Sequence, residues 1–528
     1  MEASGLKEER KKVFKRAFFM AGGTLTSRVL GLFRDMALAA LFDRTITDAW
    51  SAAFRLPNLF RRLFGEGALS VSFIPVFIEA QALDISGVRA RNLLNAVYTL
   101  LLIVLGVFTL WGLGSMETLL KLLLADSYVM DLEKWNLTVR MARIMFGFVF
   151  FVCSYAYFMA ILNALGSFAL PAVAPALLNI SMLVFTFMPT FWFPQMGDGL
   201  AWGVLIGGVL QSALLWWVLR ERNYLPRLTM KIWSPDIRQV LKNMLPGLLG
   251  AGLLQLATLV NLHFASGLGE GAISYVYWAD RLLELPLSLV AVSIGAALLP
   301  TLSQLAQQNN RAQFQSVLQE HFLMNLFLAW PAAVGLYFLA QPIVEVLFYR
   351  GHFSLADVVA TTAVLKVYAG SLLMVSSVRV LIPSYYAVKN TWIPAGSSLL
   401  GLILHVVMAP LWIQALGLQG LVLSGLVASV LQLGLVILLM GRYAISLNFR
   451  LMANEFFKIL LAGSLMAIAA TMMGSWVILA GSSLVKALLL ALVIGTCVLV
   501  YAFAAMKLKI EQAGFLLDYL KRKKKTKF

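Results

Sequence analysis

The stretch SRVLGLFRD, residues 27–35, sets Arg28, Arg34 and Asp35 inside a run from Phe18 to Phe42 that is otherwise apolar. On membrane-insertion scales an Arg or Asp at a helix centre costs about 2.5–3.5 kcal/mol, so three facing lipid would cost on the order of 8–10 kcal/mol. They must face protein or a water-filled cavity instead. Arg28 and Asp35, seven residues apart, share one face of an α-helix, and Arg34 lies about 100° from Asp35. A second group stands in TDAWSAAFRLPNLFRRLFGEGALS, residues 47–70, with Asp48, Arg55, Arg61, Arg62 and Glu66. If residues 55–62 are helical, Arg55, Asn58 and Arg62 stack on one face. The GEG triplet permits a sharp bend there, because glycine adopts backbone conformations other residues avoid. The third group is YWADRLLELP, residues 277–286. In it Asp280 and Glu284 are i,i+4 neighbours and Arg281 is three residues from Glu284, so the charges partly neutralise one another.

A single intramembrane ion pair can be no more than a brace between helices. The set as a whole reads differently. Arg28, Arg34, Arg55, Arg61, Arg62 and Arg281 outnumber Asp35, Asp48, Glu66, Asp280 and Glu284 by one, and none of the bases is lysine. Arginine is permanently charged and offers a planar donor fork that matches phosphate oxygens. A cavity lined this way attracts an anion such as a phosphate or pyrophosphate.

The elements that must hold these residues are membrane helices. The 528 residues are 60% hydrophobic and only 13% charged, where soluble domains are about half apolar and a quarter charged. A spanning helix needs roughly 20 apolar residues. About fourteen windows qualify, near 18–42, 67–84, 92–114, 138–165, 168–190, 199–220, 240–267, 271–304, 318–345, 358–388, 392–415, 418–441, 456–479 and 484–508. The first is read as a retained helix and not a signal peptide, since a signal core holds no Arg-Asp pair and no small-residue cleavage site closes it. This predicts an all-α polytopic membrane protein.

The net charge of +17 is distributed by topology. KEERKKVFKR precedes the first window and KRKKKTKF ends the chain. Between windows, basic residues gather at Arg89/Arg91, Arg220–Lys242, Arg311, Lys389 and Arg442/Arg450. Counted from a cytoplasmic N-terminus these all fall inside, whereas the outer connection MDLEKWN is net acidic and those near 191–198 and 480–483 carry no Lys or Arg. That is the positive-inside pattern, and it places both termini in the cytoplasm with the surplus charge facing anionic headgroups and not nucleic acid. Residues 47–70, an outer connection by this count, break the pattern and are read as lining an outer entrance.

Other chemistry finds little support. Cys153 and Cys497 lie in separate apolar windows, and His263, His321, His352 and His405 are scattered without ligand spacing, so neither a disulfide nor a metal site is expected. No nucleotide-binding motif and no soluble domain large enough for one are present. No catalytic constellation for a polyprenyl-lipid enzyme stands out, and a drug or cation antiporter would want an acidic cavity.

The chain also repeats itself, as transporters often do. FALPAVAPALLN (168–179) resembles WIPAGSSLLG (392–401) at an offset of 223, superposing Pro171 on Pro394. GLAWGVLIGGVLQ (199–211) resembles GLQGLVLSGLVASVLQ (417–432) with a small insertion, and AFRL (53–56) matches ADRL (279–282), setting Arg55 on Arg281. Pro75 and Pro300 fall close to the same register. Two pseudo-symmetric six-helix lobes of one orientation follow: a basic cytoplasmic N-terminus 1–16, an N-lobe 17–220, a basic linker 221–239 and a C-lobe 240–441. Two further helices in 442–508 have no counterpart, and a basic tail occupies 509–528.

Taken together, SRVLGLFRD, FRLPNLFRRLFGEGALSVSFIPVF, ALPAVAPALLNISM, YWADRLLELPLSLVAVSIGAALLPTLS and LFYRGHF resemble the MurJ (MviN) family of lipid II flippases, within the multidrug/oligosaccharidyl-lipid/polysaccharide exporter superfamily. The resemblance runs over nearly the whole chain. It implies two six-helix lobes facing each other in a V, with the two C-terminal helices bordering a lipid-facing groove. It implies translocation of undecaprenyl-pyrophosphate-linked peptidoglycan precursor from the inner to the outer leaflet of the bacterial cytoplasmic membrane by alternating access. A flippase for another polyprenyl-linked saccharide, such as O-antigen, is the alternative. On this resemblance Arg28, Arg34, Asp35, Asp280, Arg281 and Glu284 are substrate-binding positions, and Asp48, Arg55, Arg61, Arg62 and Glu66 belong to a gate or cavity wall. Arg55 departs mildly, since lysine also occurs there in the family. Lipid II, membrane lipids and the cell-wall synthesis machinery are the partners implied. No cofactor is expected, with the membrane potential or an ion as the energy source. A carboxylate-based sodium site in the C-lobe is not expected, because residues 240–268 and 358–440 hold no Asp or Glu.

Overall fold

A computed structural model describes residues 26–64, 69–84, 86–443 and 447–515. Every regular element among them is helical. In chain order these are α1 (26–41), α2 (Arg44–Leu63), α3 (Leu69–Leu83), α4 (Val88–Gly114), α5 (Met116–Leu123), α6 (Asp126–Met130) and α7 (Leu132–Ala164). Then come α8 (Ala169–Val173), α9 (Pro175–Thr186), α10 (Asp198–Glu221), α11 (Pro235–Ser266), α12 (Ala272–Leu287), α13 (Ser293–Gln307), α14 (Arg311–Phe338) and α15 (Ala340–Phe348). The series ends with α16 (Leu355–Ala387), α17 (Trp392–Leu416), α18 (Leu418–Met440), α19 (Phe449–Leu479) and α20 (Ser483–Lys507).

Local chemistry sets the helix starts. Asp43 accepts the Ile46 N–H at 2.9 Å before α2, and Asp131 accepts the Lys134 N–H at 3.2 Å before α7. Ser234 and Pro235 open α11, and Ser354 with Asp357 forms a reciprocal cap on α16. Each satisfies donors that the first helical turn leaves without partners.

Eleven of these helical segments are long and apolar enough to cross a bilayer, and the chain is a multi-pass membrane protein. Eleven of the fourteen expected windows are thereby accounted for, and the count of fourteen is not reached among the described residues. Window 18–42 is described only from residue 26, 67–84 contains the short apolar helix Ser72–Leu83, and 240–267 coincides with α11 as far as Ser266. The basic termini, 1–16 and most of 509–528, lie outside the described residues.

The duplication is written into the helix lengths. Helices α7 and α16 are both 33 residues long and stand 223 residues apart at each end. Helices α3 and α13, both 15 residues, stand 224 apart and carry Pro75 and Pro300. A π-helical turn, Ser288–Val292, joins α12 to α13 in a single 36-residue apolar segment. Residues 47–63 belong to helix α2, which is not among the eleven long apolar segments. Their polar residues lower the average hydropathy, while Trp50, Ala53 and Phe54 on the same helix are buried.

The chain divides into two compact units, the first ending at Ile273 and the second beginning at Ser274. In the first, α7 is the hub, packed by α2, α3, α4 and α10, and 72% of its most apolar window is buried. Helix α11 packs in this unit too, against α2, α3, α4 and α5. In the second unit α16 takes the hub position, packed by α13, α14 and α18, with α17 on the outside of α18 and only 17% of its window buried. Helices α19 and α20 pack on α14 and α15. Gly463 there lies so close to the Trp330 ring that a Cβ would overlap it, and Lys486 of α20 pairs with Glu345 of α15.

Candidate functional site

The charges of α1 are tied into its own unit. Arg34 and Asp35 are 5% and 2% exposed. The Arg34 guanidinium donates through Nε and Nη2 to Asp35 Oδ1 at 2.8 and 2.5 Å, and through Nη1 to Asn179 Oδ1 on α9 at 2.8 Å. Asn179 Nδ2 in turn donates to the Ser27 carbonyl at 2.8 Å. Helix α9 can hold Asn179 there because α10 approaches it through Gly203 and Gly207, where a Cβ would press on the Met182 and Leu178 backbone. Asp35 thus holds the Arg34 guanidinium, which is buried with its fork taken up by protein. Arg28, nearly two turns earlier, is half-buried.

The second group divides along α2. Asp48, in its second turn, is fully buried and accepts from Lys134 Nζ of α7 at 2.8 Å and from the Gly271 N–H at 2.7 Å. Lys134 is 5% exposed and sits over the Tyr128 ring at 4.9 Å. Gly271 adopts φ +86, a left-handed conformation that suits glycine. Two more bonds fasten the same α11–α12 turn. Thr45 Oγ1 donates to Glu270 at 3.0 Å, and the Ala125 N–H donates to Ser266 Oγ at 2.8 Å. A buried carboxylate shared by an ammonium and a backbone amide is well satisfied, and losing one partner leaves an uncompensated charge.

Further along α2, Arg55, Arg61 and Arg62 are half-buried. The helix runs through Pro57, and Arg61 Nε donates to Asn58 Oδ1 at 2.8 Å. Asn58 thus serves Arg61, three residues on. Glu66 and the GEG bend lie outside the described residues.

In the second unit Arg281 and Glu284 meet as the i,i+3 spacing requires, Nη1 to Oε2 at 3.1 Å, with side chains 23% and 32% exposed. The Arg281 guanidinium lies over the Tyr277 ring at 4.8 Å, an arrangement that fixes its plane. Asp280 is half-buried on the same helix. Of the expected substrate arginines, Arg28 and Arg281 are partly exposed and Arg34 is buried.

With this geometry in place, the comparisons decide the family. A family model described as Lipid II flippase MurJ matches residues 37–499. The chain belongs to the lipid II flippase MurJ family. A relative from Bdellovibrio bacteriovorus, named a probable lipid II flippase MurJ, is 61% identical over 468 residues, covering 89% of this chain and 90% of that one. Another from Burkholderia cenocepacia, named lipid II flippase MurJ, is 31% identical over 420 residues, 78% of this chain and 80% of that one. Among solved structures, one titled lipid II flippase MurJ in an inward closed conformation matches with TM-score 0.75 at 24% identity over 93% of this chain and 99% of that one. An inward-facing multidrug transporter of the MOP superfamily matches with TM-score 0.69 at 16% identity over 79% and 94%. These two show the shared fold.

Sequence reading missed three partners. Lys134 sits in MDLEKWN, a connection set aside as acidic, and only the fold brings it 86 positions back to Asp48. Asn179 is a lone amide in an apolar window, a weak signal that polar residues inside a membrane need partners. Gly271 acts through its backbone, which no side-chain pattern reveals. Among the described residues no group of three or more His, Cys, Asp or Glu could hold a metal ion.

Proposed function

We propose that this chain carries lipid II, the undecaprenyl-pyrophosphate-linked disaccharide-pentapeptide, from the inner to the outer leaflet of the bacterial cytoplasmic membrane, and so supplies cell-wall synthesis. Membership of the family and the arginines Arg28 and Arg281 carried within apolar windows support this reading. Arg28 in the first unit and Arg281 in the second are each assigned to substrate binding, because both side chains are only partly buried. Glu284 and the Tyr277 ring hold the Arg281 fork in one orientation. Arg34, with Asp35 and Asn179, is a positioning residue that fixes α1 on α9. Asp48, Lys134 and Gly271 form an outer latch that must release during each transport cycle, with Arg55, Arg61, Arg62 and Glu66 on the wall beside it.

In this reading the lobes comprise 17–220 and 240–441, the linker 221–239 is cytoplasmic, and 442–508 borders the path of the polyprenyl tail. Both termini are cytoplasmic, as the distribution of basic residues supports. The chain performs no bond chemistry and needs no cofactor, and the membrane potential or an ion drives the cycle. Its protein partners are the enzymes that make lipid II on one face and polymerise it on the other.

Depleting the chain in its host and measuring lipid II leaflet by leaflet tests the reading. Accumulation in the inner leaflet with loss from the outer one is expected. An unchanged leaflet ratio under full depletion would overturn it.

A further inference from the structure

Residues 222–234, between α10 and α11, form no helix, yet they are fastened along α4. The Arg227 N–H donates to Asn95 Oδ1 at 2.7 Å and the Thr229 N–H donates to Thr99 Oγ1 at 3.1 Å. Beyond them, Arg89 grips Asp236 with two bonds, Nε to Oδ2 at 2.9 Å and Nη2 to Oδ1 at 2.6 Å. At 1.5 Å per residue, Asn95 and Thr99 lie roughly 10–17 Å along α4 from Val88, beside the start of its apolar run at Leu93. The strap therefore rides at the depth where a membrane helix leaves the headgroups. Trp216 and Trp217, exposed on the last turns of α10 with Arg220 over the Trp216 ring, mark the same end, as interfacial tryptophans do.

What the strap presents is unusual for a surface facing water alone. Leu228, Met230 and Trp233 are 71%, 98% and 68% exposed. Between and beyond them Arg227, Lys231, Arg238 and Lys242 are exposed as well. Residues 222–242 hold five basic side chains against one acid, Asp236, which Arg89 already neutralises. A cavity of about 600 Å³ opens at the α11 end, lined by Trp233, Ser234, Pro235, Arg238, Gln239 and Lys242.

We propose that this strap is a binding site for anionic phospholipid on the face assigned above to the cytoplasm. A headgroup phosphate occupies the cavity between Arg238 and Lys242, while Leu228, Met230 and Trp233 enter the acyl boundary. Charge complementarity selects the anionic lipid, and the apolar side chains beside the cations distinguish a lipid from a dissolved anion. The site is separate from the transport arginines, and its test reads no transport.

The full chain carrying Met230→Cys, with Cys153→Ala and Cys497→Ala, is labelled at residue 230 with an environment-sensitive fluorophore. It is then placed in nanodiscs of phosphatidylcholine with or without phosphatidylglycerol. A blue shift and quenching by doxyl-labelled acyl chains are expected with phosphatidylglycerol, shrinking as salt rises and lost in R238Q/K242Q. Equal emission in both lipids would overturn the proposal, as would a shift that survives high salt and R238Q/K242Q. Loss of the shift on adding millimolar inorganic phosphate at constant ionic strength would also overturn it, identifying a site for a soluble anion.

Discussion

The Asp48 carboxylate and the Lys134 ammonium meet at 2.8 Å in the interior of the first unit, with Asp48 fully buried and Lys134 nearly so. Removing one member strands the other in a medium that solvates it poorly, at a cost of roughly 3–5 kcal/mol. Asp48→Asn and Lys134→Met should each lower thermal stability by about that amount, and the double variant should recover much of the loss. Additive losses in the double variant would show that the two groups do not act as a pair.

The latch that shares Asp48 should be movable if the chain is a transporter. Thr45 Oγ1 and the tip of the Glu270 side chain touch at 3.0 Å, so a Thr45→Cys/Glu270→Cys pair, introduced with both native cysteines replaced, should be bridged by a short reducible thiol-reactive cross-linker. Lipid II flipping should stop when the bridge forms and return on reduction. Undiminished flipping by the cross-linked form would mean that this turn stays shut throughout the cycle.

Arg34 and Asn179 make a separate point about buried arginines. A lysine at 34 keeps the charge but loses the fork that reaches both Asp35 and Asn179. Hydrogen bonds to charged groups are worth about 1.5–3 kcal/mol, so Arg34→Lys and Asn179→Ala should each destabilise within that range, and together by less than their sum. Lipid II affinity per folded molecule should stay near that of the parent chain. A selective loss of affinity at unchanged stability would make Arg34 a substrate contact.

The membrane class, eleven of the helical windows and the duplication were legible from the sequence because each rests on long apolar runs or a constant offset. The helical state of residues 47–63 was less legible, because the charges of α2 dilute its hydropathy and the segment reads as a connection. The Arg281–Glu284 pair was legible from helical spacing alone. Long-range partners were not, since nothing in MDLEKWN singles out Lys134 and nothing in ALLNISM says that Asn179 faces α1. The burial of Arg34 against Asn179 was hidden for the same reason. A sequence shows that a charge must avoid lipid, without showing whether protein or water receives it.

The linker contact gives a pH signature. Two hydrogen bonds from Arg89 hold the Asp236 carboxyl below its ordinary value of 3.8. A carboxylate with a depressed folded-state pKa contributes stability that is present above the unfolded value and lost as pH falls through the folded one. Arg89→Gln should therefore lower the melting temperature at neutral pH, and the gap to the parent chain should close below about pH 4. A gap that persists at the lowest pH would show that the arginine acts through packing alone.

Arg281 carries the central claim, and the affinity of the purified chain for lipid II in nanodiscs tests it most directly. Arg281→Lys preserves the charge and removes the planar fork, so binding should weaken by roughly tenfold or more, about 1.4 kcal/mol per factor of ten. Equal affinity of Arg281→Lys and the parent chain would contradict an arginine fork holding the diphosphate.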